Sequence, residues 1–342
     1  MGISQQTYQT SNNTLIQLSV DREYRGRVLS TLYLQRGMVP LGTMLAGVVT
    51  ELVGARWATG GMAVALLLMV PAAQLAASGK DYRIGVAEYV TNLEGSELGR
   101  TILFSNRGNR QLAYDFVPGD PRRAALGTGD AGTNITFALD DINQTPDIAG
   151  AGELAQIRAA MATWENVTCS TIPLTDRGNT GVDVGAVQNL FGFGGTGGVA
   201  ADLQHAGFLP PGFFLLLGSA NILGVTFTFR FVDGNGNDTD IDNNGVGDAA
   251  FREIYYNDGF TWEVDPADQP GDGRFDLQTV ALHEAGHGLS QGHFGDGFIQ
   301  RNGRIQVAPL AVMNAGYIFG QQQLAGTDTG GHCNNWAAWP NN

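Results

Sequence analysis

Positive charge is scarce in this chain. Its 342 residues include 19 Lys and Arg against 33 Asp and Glu, a formal net charge of -14. The shortage is uneven. Residues 1–80 carry six basic residues (Arg22, Arg25, Arg27, Arg36, Arg56, Lys80) and three acidic ones (Asp21, Glu23, Glu51), a balance of +3. Residues 81–342 carry 13 Arg and 30 acidic residues, a balance of -17. An acidic body excludes nucleic acid as the partner, because phosphate binding needs a clustered positive field. Cysteine occurs twice, at Cys169 and Cys333, and neither sits in a zinc-binding spacing of its own. In an exported protein an even count suggests one disulfide, here closing a very long loop; two free buried thiols are the alternative. Histidine occurs five times. Apolar residues are not lacking: at 43% they exclude wholesale disorder. Glycine, 49 of 342, has about twice its usual share and predicts many turns and loops.

The first eighty residues differ in kind from the rest. Residues 37–50 and 58–79 are uncharged. The second stretch is long enough to span a bilayer. It also fits a secretory signal: Arg56 upstream, an apolar run over residues 62–70, then small residues at Ala72, Ala73, Ala76, Ala77 and Ser78. Translation beginning at Met62 would place that signal first. A buried core helix is the alternative. Asp21-Arg22-Glu23-Tyr24-Arg25-Gly26-Arg27-Val28, with Gly37, Pro40-Leu41-Gly42, Ala46-Gly47 and Gly54, resembles a transmembrane hairpin of the major facilitator superfamily. The resemblance spans residues 21–54 and carries no substrate site. A transporter needs many more spans than two, so a fused fragment or a misplaced start is the expectation here.

Beyond Lys80 the pattern becomes that of a mixed domain. Residues 100–104 and 111–117 read as short strands flanking a turn, and residues 118–134, rich in Gly, Pro and Asp, as a linker. Residues 135–139 read as a strand. Over residues 153–167, Leu154, Ile157, Ala160, Met161 and Trp164 recur at helical spacing. Residues 222–232 alternate like a strand; residues 253–262 read as another, broken at Asn257-Asp258-Gly259. Residues 276–289 read as a helix with Asp276 as its N-cap. The expected class is α+β, preceded by a hydrophobic helical segment. The domains expected are 1–80, a transporter-like and signal- or anchor-like leader; 81–132, a β-rich segment or propeptide; and 133–342, the catalytic domain.

The chemistry concentrates in His283-Glu284-Ala285-Gly286-His287-Gly288-Leu289-Ser290-Gln291-Gly292-His293. His at i and i+4 lie about 40° apart around a helix, one turn up, so both imidazoles face one ion. A turn near residues 290–292 must bring His293 back as third ligand. Three neutral nitrogens with a fourth position open describe catalytic zinc. Glu284 neighbours a ligand, so its carboxylate reaches the water rather than the metal, as a general base.

This run resembles the zinc signature of the metzincins. Phe275-Asp276-Leu277-Gln278-Thr279-Val280-Ala281-Leu282 before it is similar to the matrixin branch. The resemblance covers about residues 133–320. It implies a twisted mixed sheet, an active-site helix and a methionine turn, for which Met313 in Ala311-Val312-Met313-Asn314-Ala315-Gly316-Tyr317 is the match. It also implies a strand that binds substrate by β-addition, with residues 222–231 the candidate. Residues 135–139 and the helix ending near Trp164 match the family's first strand and helix. Three features depart. Ser290 stands where the family has Gly, and the left-handed conformation costs Ser about 1 kcal/mol. Gly288 or Gly292 could take over that turn. Ala315 replaces a Pro common after the Met, and no cysteine sits in a propeptide switch. Tyr317 matches the family's turn tyrosine but reads as core or rim rather than ligand. His205 and His332 have no ligand spacing.

The acidic loop, residues 233–248, holds nine Asp or Asn. Asp240, Asp242, Asn244, Gly245 and Asp248 follow the first part of an EF-hand-like loop, making them a candidate Ca2+ site. Phe251 stands where the bidentate Glu would be. A solvated acidic turn is the alternative. Asp265, Asp268, Asp272 and Asp276 form a weaker candidate.

The expected function is a secreted or surface zinc endopeptidase acting on protein or peptide substrates. A catalytically silent, zinc-stabilised binding or adhesion module is the second expectation. A membrane-transport component is the third, resting on residues 21–54 alone. Membrane attachment, if any, would run through residues 37–79.

Overall fold

The computed structural model describes residues 81–92, 102–106, 111–128, 132–265, 273–299 and 305–341, all within the unit Leu67–Asn342. The leader readings on residues 1–80, the turn after Asn106, and Asp268 and Asp272 lie outside the described residues. Among the described residues, no helix is long and apolar enough to cross a membrane.

The centre is a mixed sheet. Strands β1 (Tyr82–Asn92), β4 (Ile135–Leu139), β5 (Leu174–Asn179), β6 (Leu203–Leu209), β7 (Ile222–Phe231), β8 (Gly247–Asn257) and β13 (Gly316–Tyr317) run in the order β13-β1-β7-β8-β6-β4-β5. Neighbours among β5, β4, β6 and β8 are parallel, and β7 is antiparallel to β8. The inner strands β4 and β6 are buried at every residue, as expected where both faces of a sheet are covered.

Alternation along β7 sorts its two faces. Val225, Phe227, Phe229 and Phe231 join a cluster with Phe213 and Phe214 of α4 (Pro211–Leu216) and Val187 of α3 (Ala186–Phe191). On the opposite face, α2 (Gly152–Glu165) packs Ile157, Met161 and Trp164 against α5 (Leu277–Gly288). Trp164 Nε1 donates to the Leu282 carbonyl at 2.8 Å, locking the two helices in register.

Several expectations need correction. The two strands before residue 118 do not pair with each other. Strand β2 (Ile102–Asn106) pairs with β11 (Gly295–Ile299), which also pairs with β12 (Ile305–Ala308), while β3 (Tyr114–Asp115) pairs with β8. The expected linker contains helix α1 (Pro121–Leu126), capped by Asp120 and started by Pro121. Its Arg123 is fully buried and grips Asp202 through both carboxylate oxygens, at 2.8 and 2.7 Å. The long strand break at residues 257–259 is as read: β8 ends at Asn257, and β9 (Thr261–Glu263) then pairs with β10 (Arg274–Asp276). Cys169 and Cys333 form a disulfide, which removes the free-thiol alternative. It ties the end of α2 to α6 (Gly326–Trp336), a helix rich in Gly and Asn.

Candidate metal centre

Helix α5 begins where the Asp276 carboxylate accepts from the Thr279 N–H at 2.9 Å. From that start, Leu277, Val280, Ala281 and Ala285 face the core, and His283 and His287 fall one turn apart on the side facing His293. The helix ends at Gly288, and Ser290 turns the chain back with φ of +65°. Neither Gly288 nor Gly292 adopts the left-handed conformation, so Ser290 makes the turn itself. Its side chain offsets the strain: Oγ donates to the Tyr114 carbonyl at 3.3 Å and accepts from Arg252 at 2.9 Å. Its carbonyl accepts from Leu112 N at 2.9 Å and Asn335 Nδ2 at 3.1 Å.

The turn brings three Nε2 atoms into a triangle. His283 to His287 is 3.0 Å, His287 to His293 is 3.1 Å and His283 to His293 is 3.3 Å. Tetrahedral zinc with bonds of about 2.0–2.1 Å sets its nitrogens roughly 3.3 Å apart, so the spacing fits. Proton placement fits too. His283 Nδ1 faces the Val312 carbonyl at 2.7 Å and His287 Nδ1 faces the Gln291 carbonyl at 2.8 Å. Those carbonyls fix the proton on Nδ1 and leave Nε2 as a lone pair toward the centre. Burial, with repulsion from the neighbouring imidazoles, holds His283 down to about 3 and His287 well below its ordinary value. Burial likewise lowers His293 to about 4. Three neutral lone pairs aimed at one point are mutually repulsive without a cation between them.

Glu284 lies beside this triangle, fully buried. Its carboxylate accepts from Thr226 Oγ1 at 2.6 Å and from the Val90 N–H at 3.3 Å. Burial pushes its pKa up to about 8, against the two hydrogen bonds. Gly224 on β7 makes room for it: a Cβ there would come within 2.9 Å of Glu284 Cγ.

Met313 packs under the helix. A side chain on Gly286 would collide with its sulfur, so that glycine is what lets the methionine approach. The turn is held from below, where the Asp328 carboxylate accepts from Val312 N at 2.9 Å and Met313 N at 3.1 Å. Tyr317 belongs to the core: its ring packs on Phe275, and its hydroxyl accepts from Asp276 N at 3.0 Å. His205 and His332 are likewise buried and bonded to Tyr256 and Ser170.

Residues 222–231 were expected to present an open edge for substrate. That edge is taken. β1 pairs antiparallel along the whole of β7, with Glu88 opposite Thr226 and Val90 opposite Gly224. Thr226, Gly224, Asp328 and the β1 residues are the parts of the site that sequence reasoning missed. None carries a motif, and each acts through a partner more than ten residues away.

The acidic loop brings Asp240, Asp242 and Asp248 within 4.8 Å of one another. Asn244 is there too, but its side-chain nitrogen donates to Asp115 and Asp242, both at 3.1 Å. Asp248 is buried and paired with Arg122 at 2.7 Å. Of the second acidic candidate, Asp276 is spent as the helix cap and Asp265 is exposed. Neither a scan against protein-family models nor a search of curated proteins gave a match to this chain.

Proposed function

We propose that this chain is a secreted or surface zinc endopeptidase with His283, His287 and His293 as ligands and Glu284 as general base. The observation that carries the reading is the triangle of buried, neutral Nε2 atoms with a buried carboxylate beside it. The resemblance to metzincins adds Met313 beneath the helix and the left-handed turn before the third histidine. Zinc there would supply the Lewis acidity that lowers the pKa of a water and polarises a peptide carbonyl. Glu284 takes the proton from the attacking water and passes it to the leaving nitrogen; Thr226 holds the carboxylate in place. The Cys169–Cys333 bond favours an oxidising, extracellular setting. Calcium at Asp240, Asp242 and Asp248 is a subordinate part of this reading.

The second reading is a silent module that keeps zinc without turning over. It is favoured by β1, which takes up the edge of β7. Glu284 counts against it, since a purely structural site has no use for a buried carboxylate beside its ligands. Metal analysis with casein hydrolysis separates the two. Wild type is expected to hold one zinc and cleave casein, while Glu284→Ala keeps zinc and loses cleavage. Zinc bound by wild type, with no protein hydrolysed after β1 is displaced from β7, would establish the silent reading.

A further inference from the structure

We propose that the chain carries its own substrate: strand β1, paired along β7, sets its backbone against Glu284, and the bond it offers is Tyr89–Val90. The proposal rests on the endopeptidase reading above.

The placement is built from both sides. β1 runs antiparallel to β7 from Tyr82 to Thr91 and, at its end, parallel to β13, with Thr91 opposite Gly316 and Asn92 opposite Tyr317. Tyr89 and Val90 pair with Val225 and Gly224 of β7, just before a register shift between Val90 and Thr91. One peptide plane falls on the chemistry. The Val90 N–H points at Glu284 Oε1, 3.3 Å away. Glu88 reaches the outer nitrogen of the His293 ring, with Oε2 3.5 Å from Nδ1.

The side chains agree with the backbone. Val90 is buried and lines a small cavity with Val280, His283, Val312 and Tyr317. Tyr89, one residue earlier, is 40% exposed. The Val90 N–H is set on the buried Glu284 carboxylate. That carboxylate is where a leaving nitrogen must collect its proton.

The step balances as hydrolysis. The oxygen of a water bonds to the Tyr89 carbonyl carbon, and the Tyr89–Val90 C–N bond breaks. Glu284 carries a proton from that water to the Val90 nitrogen. The products are a carboxylate at Tyr89 and an amine at Val90, with one water consumed.

The test uses the full chain. Zinc-loaded wild type is expected to develop a new N-terminus reading Val90-Thr91-Asn92, at a rate that does not change when the protein is diluted. Glu284→Ala should stay intact at this bond. Val90→Asp, which puts a charge at a buried position against Val280 and Val312, should slow cutting there at least 100-fold. A readout without metal accompanies these. In chelated wild type, the amides of residues 82–90 should exchange slowly with solvent, and in Val90→Asp they should exchange faster. If casein is cleaved by either protein while the wild-type Tyr89–Val90 bond stays whole, this inference is overturned and the endopeptidase reading stands. If neither protein hydrolyses itself or casein, both fall. Free exchange of residues 82–90 in wild type, or cutting that slows on dilution, also overturns the placement.

Discussion

At the histidine cluster, His283 and His287 have their outer nitrogens held by backbone carbonyls, and the three inner nitrogens face one another at 3.0 to 3.3 Å. In the acidic loop the reverse holds. Asp240 accepts from Asn244 N and Gly245 N, and Asp242 accepts from the Asn244 amide. Asp248 is satisfied by Arg122, Thr239 and Ile241 N. The first site aims three neutral lone pairs at one point. The second has already answered most of its own repulsion with amides and one guanidinium. A cation offered to the second must compete with partners that are already there.

The largest break in this comparison comes from removing an inner nitrogen. His287→Ala should reduce zinc to trace levels by metal analysis and casein hydrolysis to background, while leaving any calcium response unchanged. Next is the Cys169–Cys333 tie, which holds the helix that supplies Asp328. Replacing both cysteines by Ser should cost about 2–5 kcal/mol in denaturant unfolding under oxidising conditions. Asp328→Ala leaves two buried N–H groups without acceptors. It should weaken zinc about 10- to 100-fold in a competitive chelator titration, as loss of an outer-shell partner does.

The smaller effects lie on the acidic side. Millimolar calcium should stabilise wild type by less than about 1 kcal/mol in thermal melts. Arg122→Ala should enlarge that calcium shift, because Asp248 loses its cation; an unchanged shift would show that the loop holds no calcium. Asp115, which accepts from Asn244 at the loop, gives a pH signature. Burial first, then the Asp242 charge, pushes its pKa up to about 6 from an ordinary 3.8. The folded state therefore holds more protons than the unfolded one in that window, so stability falls as pH rises from about 4 to about 6. Asp115→Asn should flatten that slope in denaturant midpoints measured across the window.

What was legible in the sequence is what depends on nearby residues. Helix α5 was readable from Asp276 and the apolar spacing after it, the pair His283 and His287 from their spacing on that helix, and His293 from the turn that must follow. β7 was readable from alternation, and Met313 was pointed to by the resemblance rather than by any local signal. The strand β1 was not. Its Arg83, Gly85 and Glu88 dilute the alternation, and what holds it extended is β7, more than 130 residues downstream. α1 was hidden by Gly, Pro and Asp around it, although Asp120-Pro121 is a sound helix start. α6 was hidden because Gly326-Thr327-Asp328-Thr329-Gly330-Gly331 has poor helix propensity. It is held by the disulfide and by Trp336 donating to the Leu289 carbonyl at 2.7 Å. Ser290 was expected to trouble the turn. The strain is present, and Tyr114 and Arg252, which offset it, are distant in sequence.

The bonds around Ser290 also make that turn a meeting point. It is bonded to Leu112 and Tyr114, to Arg252 and to Asn335. Segments far apart in sequence converge on the one residue that turns the chain toward His293, so a change in any of them reaches the aim of that imidazole.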